Sequence, residues 1–418
     1  MAKRSDQTAI LLLGNYRPAV VIARALAPLG YRIVLGLQGE EHGVRFSRFV
    51  SETWDHPELS RVGAFDAELK SYLHQNPAIS CVLPVTEEFV NAFARQDICL
   101  PEGVSLASPN NEVVNTFADK VGALELAKSV GVSTLPFAIV EDYDDLIARA
   151  VAIGYPLTIR PLGTTARLFG RKALILANSR ELRAELKAWP QGHSRLLLQR
   201  YAQGTRHNVY FAAQNGNLIG VSESKINRTN NLDGTGLAVD GQTLTPTPVL
   251  LEGTRRLVEE TRYTGIGLAQ FIVDPESGDT CFLELNPRVS GSHAVPERAG
   301  VPLSGWAVEL AQADLRPDTV TSACTFGRTD IRYVWTSGDL LALKTSLMDR
   351  HISLAHVPGL LLKIARSAIG ANTHMIWRWD DPLPAMATLL GCLPRFGFVR
   401  RMLSRRDAET VQLQGPNG

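Results

Sequence analysis

The sequence reads as an α/β fold in three parts. A parallel sheet flanked by helices comes first, a two-lobed α+β unit second, and a mostly helical C-terminal segment last. Three observations predict it. Strand-like and helix-like apolar runs alternate through the first hundred residues. The texture changes at Pro109, after which strands, glycine-containing loops and a hairpin dominate as far as residue 310. Beyond Asp330 the pattern is mostly helical, ending in "RFGFVRRMLSRR".

Composition bounds the function before any motif is read. At 418 residues the chain is long enough for two to three domains. Hydrophobic and charged contents of 45% and 20% describe a soluble globular protein, and a formal net charge of +1 argues against a dedicated nucleic-acid binder. The five cysteines stand far apart with no C-x-x-C, which points to neither a zinc site nor a disulfide framework and fits a reducing cytoplasm. The first apolar run, Ala9 to Leu13, is shorter than a signal peptide requires, and no run of 18 apolar residues predicts a membrane span.

Each element has a local reason. "TAILLLGNYRPAVVIARALAPLGYRIVLGL" predicts a buried strand over Ile10–Leu13, then a helix with Ala19, Val20, Ile22, Ala23, Leu26 and Leu29 at helical spacing. Gly30 closes that helix before a second strand. "GNYRPA" lacks the second and third glycines of G-x-G-x-x-G, so a structural βα turn or a substrate-facing loop is expected rather than a dinucleotide site. "AISCVLPVTEEFVNAFARQ" repeats the strand–loop–helix theme. "NTFADKVGALELAKSVGVSTLP" predicts one amphipathic helix closed by Gly131. Between Arg160 and Tyr210 ten Lys/Arg, Lys172 among them, face two Glu. That excess of eight positive charges suits either a solvated basic face or a polyphosphate.

The most informative stretch is "GLAQFIVDPESGDTCFLELNPRVSGSH". "DPESGD" is a turn by its Pro, Ser, Gly and Asp chemistry, so antiparallel strands flank it. A turn centred on or just before Ser277 gives opposed residues an index sum of 554 or 553, which sets Gln270 beside Glu284. Strand alternation then puts Phe282, Glu284 and Asn286 on one face, with Cys281, Leu283 and Leu285 on the other. Three oxygen donors, Gln270, Glu284 and Asn286, converge. Oxygen-only donors suit magnesium shared with substrate phosphates, and the alternative is a half-exposed strand with polar residues facing water.

This stretch resembles the metal-binding end of the ATP-grasp superfamily, most of all its carbamoyl-phosphate-synthetase branch, whose Gln…Glu-x-Asn-Pro-Arg pattern it carries. The likeness runs over roughly residues 8–310. "FADKVGALELAKSVGVSTLP" is similar to the family's opening helix, which implies a phosphate contact for Lys120. "YPLTIRPLGTTARLFGRKAL" resembles its phosphate strand and loop, which implies nucleotide contacts for Arg160 and Gly163. "LLLQRYAQGTRHNVYF" resembles its interdomain hinge, where Gln199 and the backbone of Arg200, Tyr201 and Ala202 would read the adenine.

The resemblance implies a Rossmann-like domain over 1–108, an ATP-grasp domain over 109–312 with a lid lobe of about 120–200, and a C-terminal helical segment over 313–418. It also implies ATP, with Mg2+ or Mn2+ on Gln270, Glu284 and Asn286. Arg288, directly after the metal strand, is expected to meet an anion formed beside the γ-phosphate, its alternative being a structural ion pair. Lys225 in "VSESKI" is expected to reach the γ-phosphate or else to be a surface lysine.

There are departures from the family. Arg200 stands where a hinge Glu is usual, and Arg206 and His207 stand where a ribose-binding Glu is common, leaving Asn208 as a substitute. Gly291 replaces the second arginine that the carbamoyl-phosphate enzymes carry. The expected activity is an ATP-dependent ligase joining a small-molecule carboxylate to an amine, without nucleic acid and without a membrane span, its oligomeric state unspecified. Another ATP-grasp chemistry (carboxylase or thiol ligase) and a non-catalytic nucleotide binder are the alternatives. The basic tail suits an acidic partner, a membrane surface or a plain helix end.

Overall fold

The computed structural model describes residues 8–38, 43–162, 166–171, 173–201, 203–231, 236–312, 324–348 and 352–392. Gly163, Lys172, Ala202 and the basic tail beyond Cys392 lie outside the described residues.

Five parallel strands open the chain: β1 (Ala9–Leu13), β2 (Arg32–Leu37), β3 (Glu52–Asp55), β4 (Ile79–Pro84) and β5 (Ser105–Leu106). Their order, β3-β2-β1-β4-β5, reverses between β1 and β4. In an open parallel sheet that reversal leaves a crevice at the strands' carboxyl ends. Helix α1 (Arg17–Leu26) starts from the loop after β1. Its Ala19, Val20, Ile22, Ala23 and Leu26 are fully buried as their spacing requires, whereas Leu29, past the helix end, is 62% exposed. Helix α2 (Val62–Gln75) covers the sheet, and α3 (Glu87–Ala94) starts from the loop after β4.

The amphipathic stretch near residue 120 forms two helices rather than one. These are α4 (Asn111–Ala118) and α5 (Lys120–Ser129). Asp119 leaves helical geometry between them, and its carboxylate accepts the N–H of Val121 at 3.0 Å, so it caps α5 and sets Lys120 at the first helical position.

A four-stranded sheet follows: β6 (Phe137–Val140), β7 (Leu157–Pro161), β8 (Leu174–Leu176) and β9 (Leu196–Arg200), in the order β6-β9-β7-β8. The large sheet is built on β10 (Thr205–Gln214), β11 (Asn217–Thr229), β12 (Ala238–Leu244), β13 (Gly265–Val273) and β14 (Thr280–Asn286). Its order is β14-β13-β10-β11-β12, and β15 (Thr325–Phe326) pairs with β11. Beyond residue 330 the chain carries helices Thr336–Met348, Val357–Gly370 and Leu383–Cys392. It also returns twice to the sheet, as β16 (Arg332–Val334) on β12 and β17 (Thr373–His374) on β16.

One apolar cluster joins helix α1, helix Leu303–Ala311 and one face of the large sheet, through Val20, Ala23, Leu303, Val308, Tyr210 and Leu268. The opposite face packs on α5 and helix Pro248–Glu260 through Leu124, Leu257, Phe211, Phe271 and Phe282. A buried ion pair ties the C-terminal part to the first domain. Arg24 donates from Nε to Asp381 at 2.9 Å, and from Nη1 and Nη2 to the carbonyls of Ile376 and Asp381. Asp381 also accepts from Ser47 Oγ at 2.6 Å and from the N–H of Arg48 at 3.0 Å. Removing one member strands the other's charge, so Arg24→Leu is expected to cost about 3–5 kcal/mol in urea unfolding, and Arg24→Leu with Asp381→Leu less than that.

Candidate functional site

The site begins with a β-bulge. The β13–β14 ladder pairs Leu268 with Asn286, Ala269 with Leu285 and Gln270 with Glu284, then shifts to Phe271 with Phe282 and Val273 with Thr280. Leu283 is the extra residue. The index sum is therefore 553 near the turn and 554 beyond it. The expectation that Phe282 shares a face with Glu284 and Asn286 is corrected. The bulge turns Phe282, fully buried, and Leu285 into the apolar core while Glu284 and Asn286 face the other way.

Across the sheet Asn208 pairs with Gln270 on one side and with Ser224 on the other. Glu284, Gln270, Asn208 and Ser224 thus form one polar row, and Tyr210 and Arg206 lie two residues to either side of Asn208 on the same face. The row is internally bonded. Gln270 Nε2 donates to Asn208 Oδ1 at 2.6 Å, Asn208 Nδ2 donates to Tyr210 Oη at 3.1 Å, and Asn286 Nδ2 donates to Glu284 Oε1 at 3.0 Å. Asn208 is 2% exposed and engaged on both amide atoms, where it orients Gln270. Lys225 is a second correction. It pairs with His207, and both leave the sheet on the face opposite Asn208, away from Glu284.

Cations surround the row. Arg160, Arg288 and Arg206 all act electrostatically on Glu284. Burial pushes the Glu284 carboxyl up, but the Asn286 hydrogen bond and these three charges outweigh it, and its pKa lies below the ordinary value. Burial lowers the pKa of Arg160 and of Arg206, with Glu284 acting in the opposite direction. Arg206 Nη2 donates to the carbonyl of Gly236 at 2.8 Å. Arg160 Nη2 lies 3.5 Å from Gln199 Oε1, while Arg160 Nε and Gln199 Nε2 are buried donors with no hydrogen-bond partner. Lys120 Nζ donates to the carbonyl of Pro161 at 3.0 Å, which sets it beside the strand that carries Arg160.

Arg288 Nη2 bonds Glu87 at 2.8 Å and Asn286 Oδ1 at 3.2 Å. Arg288 thus makes an ion pair with a carboxylate at the start of α3. A pocket bordered by Glu87, Val90, Phe117, Lys120, Glu284 and Arg288 opens at this end of the row.

At the hinge the N–H of Arg200 bonds the Pro136 carbonyl and that of Tyr201 bonds the Pro156 carbonyl, both at 2.9 Å. Those two donors are committed to the protein, which restricts backbone recognition by Arg200 and Tyr201 to their carbonyls. Two participants escaped the sequence reading. Glu87 belongs to "TEE", readable as the acidic first turn of a helix, but its partner is 201 residues away. Arg17 sits at the first position of an apolar helix, where a buried guanidinium is the only signal.

The donors fit a divalent ion in one way. Among the described residues no group of three or more His, Cys, Asp or Glu is arranged to hold a metal. Glu284 supplies one carboxylate, and Gln270 and Asn286 supply amide oxygens. Such a set suits an ion that arrives with phosphates and takes further oxygens from them.

The frame is thus a parallel sheet with a crevice, a small antiparallel sheet and a large sheet carrying the polar row. Residues 119–316 match the family model of the carbamoyl-phosphate synthase L chain, ATP binding domain, which places this part of the chain on the carbamoyl-phosphate-synthetase-like side of the ATP-grasp superfamily. Among curated relatives, the 2-oxoglutarate carboxylase small subunit of Hydrogenobacter thermophilus is 27% identical over 334 residues, 73% of this chain and 66% of that protein. The propionyl-CoA carboxylase alpha chain of Ruegeria pomeroyi is 27% identical over 251 residues, 50% of this chain and 35% of that one. The chain thus spans from about a third to about two thirds of the length of these relatives.

Two solved structures share the fold. N5-carboxyaminoimidazole synthetase from Staphylococcus aureus, complexed with ADP, superposes with a TM-score of 0.60 at 13% identity, over 82% of this chain and 86% of that one. The biotin carboxylase domain of the Hydrogenobacter thermophilus 2-oxoglutarate carboxylase, in complex with MgADP, ADP and bicarbonate, gives 0.59 at 21% identity, over 76% and 71%.

The bulge yields a test independent of activity. Phe282→Ala is expected to cost about 3–5 kcal/mol in chemical unfolding, and Leu283→Ala about 1 kcal/mol, because Phe282 fills the core and Leu283 is half-buried. Equal costs would argue against the turned phenylalanine.

Proposed function

We propose that the chain is an ATP-dependent ligase that activates a small-molecule carboxylate as an acyl phosphate and passes it to an amine, releasing ADP and phosphate. The observation that carries this reading is the cluster of Arg160, Arg206 and Arg288 around Glu284, with Arg288 also on Glu87. Three positive charges against two carboxylates suit a polyphosphate, and Lys120 and Arg160 would supply cations to its phosphates. Gln270, Glu284 and Asn286 would hold Mg2+ or Mn2+. When bound there, the ion would neutralise charge developing on the phosphates.

The protein's own groups do the rest. A carboxylate oxygen of the acid attacks the γ-phosphorus as the bond to ADP breaks, and Arg288 stabilises the acyl phosphate formed. Its bond to Glu87 holds the guanidinium fork in place for that role. The amine lone pair then attacks the acyl carbon, phosphate leaves with the bonding pair, and the amine loses a proton. Closure of the small sheet over the row excludes water that would hydrolyse the acyl phosphate. Residues 1–108, 109–312 and 313–418 are taken as the crevice domain, the ATP-grasp unit and the C-terminal segment. Among the described residues no helix is long and apolar enough to cross a membrane. A second reading, with bicarbonate as the acid, is favoured by relatives whose names are carboxylases.

Incubation with Mg–ATP, hydroxylamine and a panel of carboxylic acids tests the reaction. Hydroxamate with ADP is expected, AMP release would contradict the mechanism, and ADP release that depends only on bicarbonate would select the second reading.

Glu284 gives a pH test. Its folded pKa is depressed, so the interactions it makes are present above the ordinary carboxylate pKa and are lost only as pH falls through the lower folded value. The gain in ATP-analogue affinity on adding magnesium is therefore expected to persist from about pH 7 to about pH 5. Glu284→Gln is expected to lose that gain at both pH values while keeping the folded far-UV circular dichroism spectrum.

A further inference from the structure

Among the described residues Arg17 is a buried cation without a counter-charge. Its side chain is 4% exposed. Nε donates to the Gly291 carbonyl at 2.7 Å, and the guanidinium lies 3.5 Å over the Trp335 ring and 5.1 Å from that of Tyr16. Nη1 has no hydrogen-bond partner, and among the described residues Arg17 makes no ion pair. Its electrostatic neighbours are Tyr16 and Tyr210, not Glu284, so it stands apart from the three arginines of the phosphate end. Burial lowers its pKa, and an arginine guanidinium stays protonated in proteins. A buried guanidinium with an unpartnered donor calls for an anion.

The surroundings hold more polar atoms without partners, and a glycine where a side chain would crowd the guanidinium. A Cβ at position 291 would come within 2.8 Å of Arg17 Nη2 and 3.2 Å of Tyr16 Oη, so Gly291 is what gives the guanidinium its room. Ser290 beside it and Trp335 beneath the guanidinium each keep a buried polar atom, Oγ and Nε1, without a partner. The position lies in the crevice where the order of the first sheet reverses, because Arg17 opens the helix that follows β1. Loop 287–291 therefore meets two arginines at its two ends. Arg288 faces the phosphate end and is paired with Glu87, whereas Arg17 faces the far end and is paired with nothing charged.

Resting on the ligase reading above, we propose that Arg17 binds a second carboxylate of the acid substrate. The substrate is then a dicarboxylate, with one carboxylate beside Arg288 for phosphorylation and the other on Arg17. The planar guanidinium fork matches a carboxylate and distinguishes a diacid from the monoacid of equal length.

The test is calorimetric titration of the full chain, saturated with magnesium and a non-hydrolysable ATP analogue, with succinate, glutarate and adipate against butyrate, valerate and hexanoate. At least one diacid is expected to bind roughly 10- to 100-fold more tightly than its monoacid, the range for one charged hydrogen-bonded contact. Arg17→Gln is expected to bring that diacid to the monoacid's level. Gly291→Ala is expected to do the same with Arg17 present, because the methyl displaces the guanidinium. In both variants the affinity for the ATP analogue stays within about twofold of wild type, which shows that they fold and separates this proposal from the ligase reading. Equal binding of diacids and monoacids by wild type, or a diacid preference that survives Arg17→Gln, overturns the proposal. Failure of wild type to bind the analogue overturns the ligase reading and this proposal with it.

Discussion

Charge imbalance in one cleft governs this structure. Arg160, Arg206 and Arg288 share the carboxylate of Glu284, and Arg288 also pairs with Glu87, so three like charges crowd around two carboxylates. Two unit charges about 6 Å apart repel by about 3 kcal/mol at an effective dielectric near 20. Folding cannot gain from such an arrangement by itself. It persists because the strands that carry these arginines are fixed by other interactions, chiefly the apolar packing on both sides of the large sheet. A site held against its own repulsion is already organised for a polyanion, and the ligand's charge relieves the strain rather than adding to it.

The sheet achieves this by sorting its two faces. Phe211, Phe271 and Phe282 go to one side and meet α5 and the helix Pro248–Glu260. Asn208, Gln270 and Glu284 go to the other and meet the cations. The bulge at Leu283 reconciles the two demands. Without it, strict alternation would put Phe282 beside Glu284 in the polar cleft, or bury Glu284 beside Phe271. One extra residue lets a core phenylalanine and a cleft carboxylate stand two positions apart on opposite faces.

Legibility in the sequence follows the range of the interactions. The alternating βα pattern, the turn at "DPESGD" and the pairing of Gln270 with Glu284 depend on local chemistry, and all were readable. The bulge was not, because nothing in "TCFLELN" separates Leu283 from its neighbours. The packing of Phe282 against Phe271 does so, together with the bond from the Phe282 N–H to the Ser133 carbonyl. The two-helix break at Asp119 hid for a similar reason, since a carboxylate inside an amphipathic run looks like a solvent-facing residue until it caps. Lys225 was assigned by its place along a strand, whereas the face it leaves from is set by register against His207. Glu87 and Arg17 were invisible because their partners, Arg288 and Gly291, lie more than two hundred residues away.

Those distant partners bear on how the activity would depend on the whole chain. Arg17 and Glu87 come from the first sheet's two crevice loops, Lys120 from α5, Arg160 from the small sheet, Arg206 from the large one, and Trp335 from the C-terminal part. No single lobe carries both ends of the site. The first domain reaches loop 287–291 from both sides, through Glu87 on Arg288 and Arg17 on Gly291. Shifting that domain against the large sheet would therefore loosen the phosphate end and the far end together. The core shared by α1 and the helix Leu303–Ala311 resists such a shift, and the buried Arg24–Asp381 pair adds a polar lock on the same domain. In the proposed reaction, binding of the acid and positioning of the phosphate would thus be coupled through one packed interface, with residues far from the reacting atoms setting the distance between the two ends of the site.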